Sequence, residues 1–287
     1  MENKSKWSES HPVAYALIVM AASIALAGIA VWGVIIVDLV ATMVMYGSLD
    51  HVKVNNLGLG NTGTELLGFV IVLLLFWLIF RKDLRGFFNV RRFGVSLLLG
   101  WSILVATAFI LLSSILEQDY GNFGAALLMG MRPGIGEEVL FRVIPICLVM
   151  RSKDRERLIV PAIAFTSILF GMVHGINIFS GADPISTLFQ ITYASCIGFL
   201  FAVIYLKTGN MWITMFLHTI MDTASFLSAS TQSEGGVLTQ GVDVASVVFL
   251  LVCTVLFFVN AFLLYRKTSK AEILDTWSGI WKSEAES

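Results

Sequence analysis

Long apolar runs separated by short polar segments dominate the chain. Each is about as long as a helix needs to cross a hydrocarbon core of roughly 30 Å. Read in order, they predict about eight transmembrane helices. The first begins near Val13, after Pro12, and reaches the far interface around Asp38, with the apolar segment from Leu39 to Tyr46 continuing it. The second covers about 65–80 and the third 94–116. The fourth is interrupted: 122–131 is apolar, but Arg132-Pro133-Gly134 follows. Proline is best tolerated in the first turn of a helix. The pattern therefore predicts a short or re-entrant segment, then a helix starting near Pro133 and ending near Met150. Spans five to eight are predicted over 158–174, 185–206, 210–229 and 244–265. In the polar tail, 268–287, Ile273, Leu274, Trp277, Ile280 and Trp281 recur at helical spacing, which predicts a surface-lying helix.

Orientation follows from lysine and arginine, because cytoplasmic loops carry their excess. The segment 81–93 holds Arg81, Lys82, Arg85, Arg91 and Arg92, and 151–157 holds Arg151, Lys153, Arg155 and Arg157. Across the loops at 47–63, 117–121, 175–184 and 230–243, Lys53 is the only basic residue. Lys4, Lys6, Lys207, Arg266, Lys267, Lys270 and Lys282 join the basic side, so both termini are expected in the cytoplasm. Lys4, Lys6 and the following Ala25-Leu26-Ala27 imitate a signal peptide, yet the apolar run continues far beyond them. A cleaved signal has a short apolar core and then polar sequence, so a retained first span is expected.

Composition agrees with this pattern. Of 287 residues, 57% are hydrophobic and 14% charged, which leaves no room for a soluble domain of useful size. The expectation is one integral membrane domain, 1–287, an all-α polytopic bundle in the cell membrane. The basic residues cluster by loop and form no face suited to nucleic acid. Cys147, Cys196 and Cys253 lie within apolar segments without metal-ligand spacing and read as small hydrophobes.

The candidate chemistry lies where charge enters the apolar runs. An ionisable group at bilayer depth costs several kcal/mol and is read as functional, with a partner nearby. Glu138 and Arg142 are four apart, share a helix face and can pair, while Glu137 points about a third of a turn away. The pair neutralises one carboxylate and leaves Glu137 available for work; alternatively, all three residues form an ion network that only fixes packing. His174 ends span five, four residues after Phe170 and between Gly171 and Gly175, a spacing that lets a neighbouring helix approach. His218 and Asp222 share a face of span seven, as a functional couple or as a satisfied buried pair.

Glu137-Glu138-x-x-x-Arg142, Phe170-x-x-x-His174 and His218-x-x-x-Asp222, in that order, resemble the motif set of the CPBP family. That family includes CAAX prenyl endopeptidases and bacterial members linked to bacteriocin processing and self-immunity. The resemblance covers about 125–230 and implies an intramembrane endopeptidase acting on a peptide or membrane-protein substrate in the bilayer, without a cofactor. By similarity, Glu137 is the general base, assisted by His174, that takes a proton from the attacking water. His218 and the residue at 222 face the carbonyl oxygen and stabilise its developing charge. This chain departs from the prenyl-protein peptidases in carrying Asp222 where they carry asparagine, and an ionised carboxylate cannot donate to an oxyanion. Either Asp222 is protonated or it orients and charges His218.

Other readings stay open. Glu137, His174 and His218 are the candidate ligands of a zinc-dependent variant, although the compact H-E-x-x-H helix is missing. The same acids and histidines would also serve a proton-coupled transporter, but no second broken segment matches Pro133-Gly134. A catalytically idle membrane scaffold is the remaining alternative.

Overall fold

The computed structural model describes residues 93–227 and 244–282, together with scattered positions before residue 93. Those residues form helices joined by short turns, with no strand among them. Helix α1, Trp101–Leu116, continues a short turn of helix at Phe93–Leu97 through a 3₁₀ turn at Leu98–Gly100. Helix α2 covers Phe123–Glu138 and passes through a π turn, Val139–Val143, into α3, Ile144–Met150. Helix α4, Arg155–Val173, runs into a 3₁₀ turn, His174–Ser180. Helices α5, Pro184–Thr208, and α6, Met211–Ser225, follow, then α7, Val244–Lys267, and α8, Lys270–Lys282. Asn122, Asp183 and Asn210 cap α2, α5 and α6 by accepting from backbone N–H groups in the first turn, which identifies these helix starts chemically.

Four helices are long and apolar enough to cross a membrane: Phe93–Leu116, Arg155–Ile178, Pro184–Thr208 and Val244–Lys267. They coincide with the predicted third, fifth, sixth and eighth spans. Most of the predicted first and second spans lies outside the described residues, as do most of the basic loop at 81–93 and the loop at 230–243.

Two expectations are corrected. The fourth helix starts at Phe123, with Pro133 inside it. Proline removes the bond to the carbonyl four residues earlier, a loss that buried membrane helices tolerate because neighbouring groups compensate. The seventh, predicted over 210–229, ends at Ser225, where Phe226 N–H closes on the Asp222 carbonyl at 2.8 Å. At 15 residues α6 is too short to cross the core alone, and its burial depends on α2 and α1.

Glycine sets the distance between α2 and α6. A Cβ on Gly130 would lie 2.6 Å from the Thr223 backbone nitrogen, and one on Gly134 would lie 2.7 Å from that of Thr219. The α4–α5 contact follows the same rule, since a Cβ on Gly198 would lie 3.0 Å from Ser167 Cα. Helix α7 is locked to α1 by polar bonds. Ser102 Oγ donates to Asn260 Oδ1 at 2.9 Å, and Asn260 Nδ2 donates to the Leu99 carbonyl at 3.1 Å, within the 3₁₀ turn.

The tail forms the predicted helix, α8, but turns its apolar stripe onto the bundle. Ile273, Trp277 and Ile280 are buried, and Trp277 Nε1 donates to the Leu206 carbonyl at 2.9 Å. Arg155 Nη2 donates to Ser278 Oγ at 3.0 Å, and Lys207 pairs with Glu272 at 2.6 Å, so α8 spans the ends of α4 and α5.

Replacing Gly134 by leucine is expected to destabilise the protein by at least about 1–3 kcal/mol, the usual cost of overpacking. Gly175→Ala, whose new Cβ would meet only Ile191 Cδ1 at an ordinary 3.6 Å, should leave stability unchanged. Thermal unfolding of both variants in detergent checks the contrast.

Candidate active site

The site forms where α2 passes into the π turn. Single π turns within α-helices frequently mark functional positions, because the extra residue re-aims side chains. Here Glu137 and Glu138 end α2, and Arg142 lies in the turn itself. Arg142 Nη1 lies 3.1 Å from Glu138 Oε1, and both side chains are 0% exposed. The guanidinium stacks on Phe170 of α4, with Cζ 3.7 Å from the ring centre, and Phe201 of α5 lies 5.9 Å away. A planar cation suits this slot in a way a lysine would not.

Helix α6 brings in His218. Its Nδ1–H donates to Glu138 Oε1 at 3.0 Å, across 80 residues of sequence. Its Nε2 faces Asp222 Oδ2 at 3.3 Å and Glu137 Oε2 at 3.8 Å. Both ring nitrogens thus point at carboxylates, an arrangement fully satisfied only when each carries a proton. Glu137 is the outlier in burial: its side chain is 34% exposed, against 19% for Asp222, 5% for His218 and none for Glu138.

His174 opens the 3₁₀ turn after α4. Its Nδ1–H donates to the Phe170 carbonyl at 2.8 Å, which holds the ring and leaves Nε2 as the free face. Phe170 stands perpendicular to both imidazoles, with centroids 5.1 Å from His174 and 5.8 Å from His218. Phe170 thus links both imidazoles to the Arg142 guanidinium stacked on its ring. The structure therefore brings every residue singled out in the sequence, Glu137, Glu138, Arg142, Phe170, His174, His218 and Asp222, into one cluster on α2, α4 and α6.

The sequence did not reveal the Glu138–His218 bond, because it depends on how α2 docks on α6. It also missed Phe201, which sits in a continuous apolar run without a distinguishing signal, and Gly198, whose small size lets the Arg142 head come within 3.0 Å of where a Cβ would stand. Among the described residues, no group of three His, Cys, Asp or Glu side chains is arranged to hold a metal ion.

Residues 119–224 match the family described as Type II CAAX prenyl endopeptidase Rce1-like. The match contains all three motifs and bears out the resemblance drawn from them. At the level of the family, this stretch is similar to CAAX-type intramembrane endopeptidases. No curated protein and no solved structure gives a significant match to the chain.

Burial separates the two adjacent glutamates in a measurable way. Glu138→Gln leaves Arg142 charged and unpaired in the core and should cost about 3–5 kcal/mol of stability, the range for breaking a buried pair. Glu137→Gln, at the partly exposed position, should change stability by no more than about 1 kcal/mol. Unfolding midpoints of the two variants in one detergent test the difference.

Proposed function

We propose, from that similarity, that the protein hydrolyses a peptide bond in a membrane-associated or lipidated substrate, using a water activated by Glu137. The observation that carries this reading is the contrast within the glutamate pair. Glu138 is sealed in the core and committed to Arg142 and His218, whereas Glu137 is partly exposed beside the same imidazole.

In this mechanism Glu137 accepts a proton from the water, assisted by His174, as the water oxygen bonds to the scissile carbonyl carbon. The electron pair of the carbonyl moves onto its oxygen, which takes over from Asp222 Oδ2 the hydrogen bond of His218 Nε2–H. When the tetrahedral intermediate collapses, the C–N bond breaks and the proton held by Glu137 passes to the leaving amine. Glu138 holds His218 through Nδ1, so Nε2 keeps its direction. Asp222 orients and charges His218 from the other side. Loss of one donor to such an oxyanion typically costs roughly a hundred- to a thousandfold in rate. The reaction in this reading uses no metal. The chain is read as an eight-span protein of the cell membrane with both termini in the cytoplasm, consistent with basic residues at 151–157 and 266–270.

The test is cleavage of membrane-inserted and lipidated peptides by reconstituted protein. Glu137→Gln is expected to abolish turnover while remaining folded, and cleavage by that variant at the wild-type rate would overturn the assignment. Exhaustive chelation should leave the wild-type rate unchanged; loss of activity restored by added zinc would move Glu137, His174 and His218 to ligand roles. Asp222→Asn should lower kcat at least tenfold if the carboxylate charges His218, and wild-type kcat in that variant would show that the carboxylate is not needed.

A further inference from the structure

The Nδ1–H bond of His174 to the Phe170 carbonyl, 2.8 Å long, lies within its own helix. It sets the ring on α4 but not the place of that helix end relative to Glu137 on α2 and His218 on α6. The aim of His174 Nε2 therefore depends on how the end of α4 is seated. The seat is α5, on which both α4 and the 3₁₀ turn after it pack. A Cβ on Gly171 would lie 2.5 Å from the Ile191 carbonyl oxygen, and one on Gly175 would lie 3.6 Å from Ile191 Cδ1, so α4 closes on α5 on either side of His174.

Just beyond His174, apolar side chains do not continue this contact. Gly175 has no side chain, and Ile176 and Ile178 are 62% and 43% exposed. Asn177, between them, turns to α5: its Nδ2 donates to Gln190 Oε1 at 2.9 Å, in a part-buried bond. Its backbone carbonyl accepts from Ala182 N–H at 3.0 Å, which closes the turn around Gly181, whose φ of +91° favours glycine. Side chains three apart eclipse in a 3₁₀ helix, so His174 and Asn177 share a face. Fixing the direction of Asn177 thus fixes that of His174. Neither Asn177 nor Gln190 belongs to the three motifs, and the chemistry described so far uses neither.

We propose that the Asn177–Gln190 bond is a positioning device of the site: it seats the 3₁₀ turn on α5 and thereby aims His174 Nε2 at the water beside Glu137. Both side chains act through His174 and touch no reacting atom. This inference rests on the peptidase reading above and extends it to a pair of residues on α5 and the turn.

The experiment is a double-mutant cycle on cleavage of a membrane-inserted peptide by the reconstituted full chain, with Glu137→Gln as reference. Asn177→Ala and Gln190→Leu each remove the bond. Each is expected to lower kcat at least about tenfold, since a misplacement of about 1 Å can cost a hundredfold, with KM near wild type. Their thermal unfolding midpoints should stay within a few degrees of wild type, as fits the loss of one part-buried hydrogen bond. The double variant should be no slower than the slower single one. Gln190→Glu keeps an acceptor for Asn177 Nδ2 and should restore kcat to within about threefold of wild type. Wild-type kcat in either disrupted variant, multiplying losses in the double variant, or no rescue by Gln190→Glu would overturn the assignment. So would a fall in the unfolding midpoint large enough to account for the lost activity, which would make the bond purely structural. Glu137→Gln cleaving at the wild-type rate would remove the peptidase reading and this inference with it. An inactive Glu137→Gln beside a fully active Asn177→Ala would remove the positioning role alone.

Discussion

One carboxylate oxygen holds the centre of this molecule together. Glu138 Oε1 lies 3.1 Å from the Arg142 guanidinium and 3.0 Å from His218 Nδ1, and all three side chains are almost completely withdrawn from solvent. Burying such charges costs several kcal/mol per ion, a cost offset only by good geometry and further contacts. Phe170 provides one of these by stacking under the guanidinium at 3.7 Å. The pair therefore contributes position more than stability: α2, α4 and α6 can dock in only one register if Glu138 is to stay compensated. The direction of His218 Nε2, and hence the place where Glu137 and Asp222 meet it, follows from that register.

Small residues make the docking possible. Gly130 and Gly134 let α6 approach α2 until Thr219 and Thr223 touch its backbone, and Gly198 leaves space for the head of Arg142 between α4 and α5. In lipid, where burial of apolar surface does not draw helices together, such close contact supplies the dispersion energy that holds a bundle. Pro133 belongs to the same arrangement. It interrupts the bonding of α2 one turn before the glutamates, and the π turn follows directly after them, so the two carboxylates occupy a helix irregular on both sides.

Interactions within one helix were legible in the sequence. Glu138 with Arg142, Phe170 with His174 and His218 with Asp222 are each four apart, and helix geometry alone puts each pair on one face. Contacts between helices were not legible. The Glu138–His218 bond joins residues 80 apart, and nothing local in either helix specifies it. The start of α2 was misplaced because proline preferences come from helices in water, and the length of α6 because apolar residues beyond Ser225 extend the pattern past the point where the helix stops. For α8, periodicity identified the helix but not the surface it covers, since a stripe of Ile273, Trp277 and Ile280 suits lipid and protein equally.

The docking of α8 also orders events during biogenesis. Membrane helices are delivered from the amino-terminal end as the chain is made, so α4, α5 and α6 are in place before α8 has been synthesised. Until then the Leu206 carbonyl lacks its indole partner, and the turn at Gly209, whose φ of +63° suits glycine, lacks the neighbouring Ile280 side chain. Helix α6, with His218 on it, starts two residues after that turn. The newly inserted bundle is therefore an immature state whose final closure waits for the carboxyl-terminal segment. Covering the Trp277 indole, with its bond to the Leu206 carbonyl, is thus the last step that completes the described bundle.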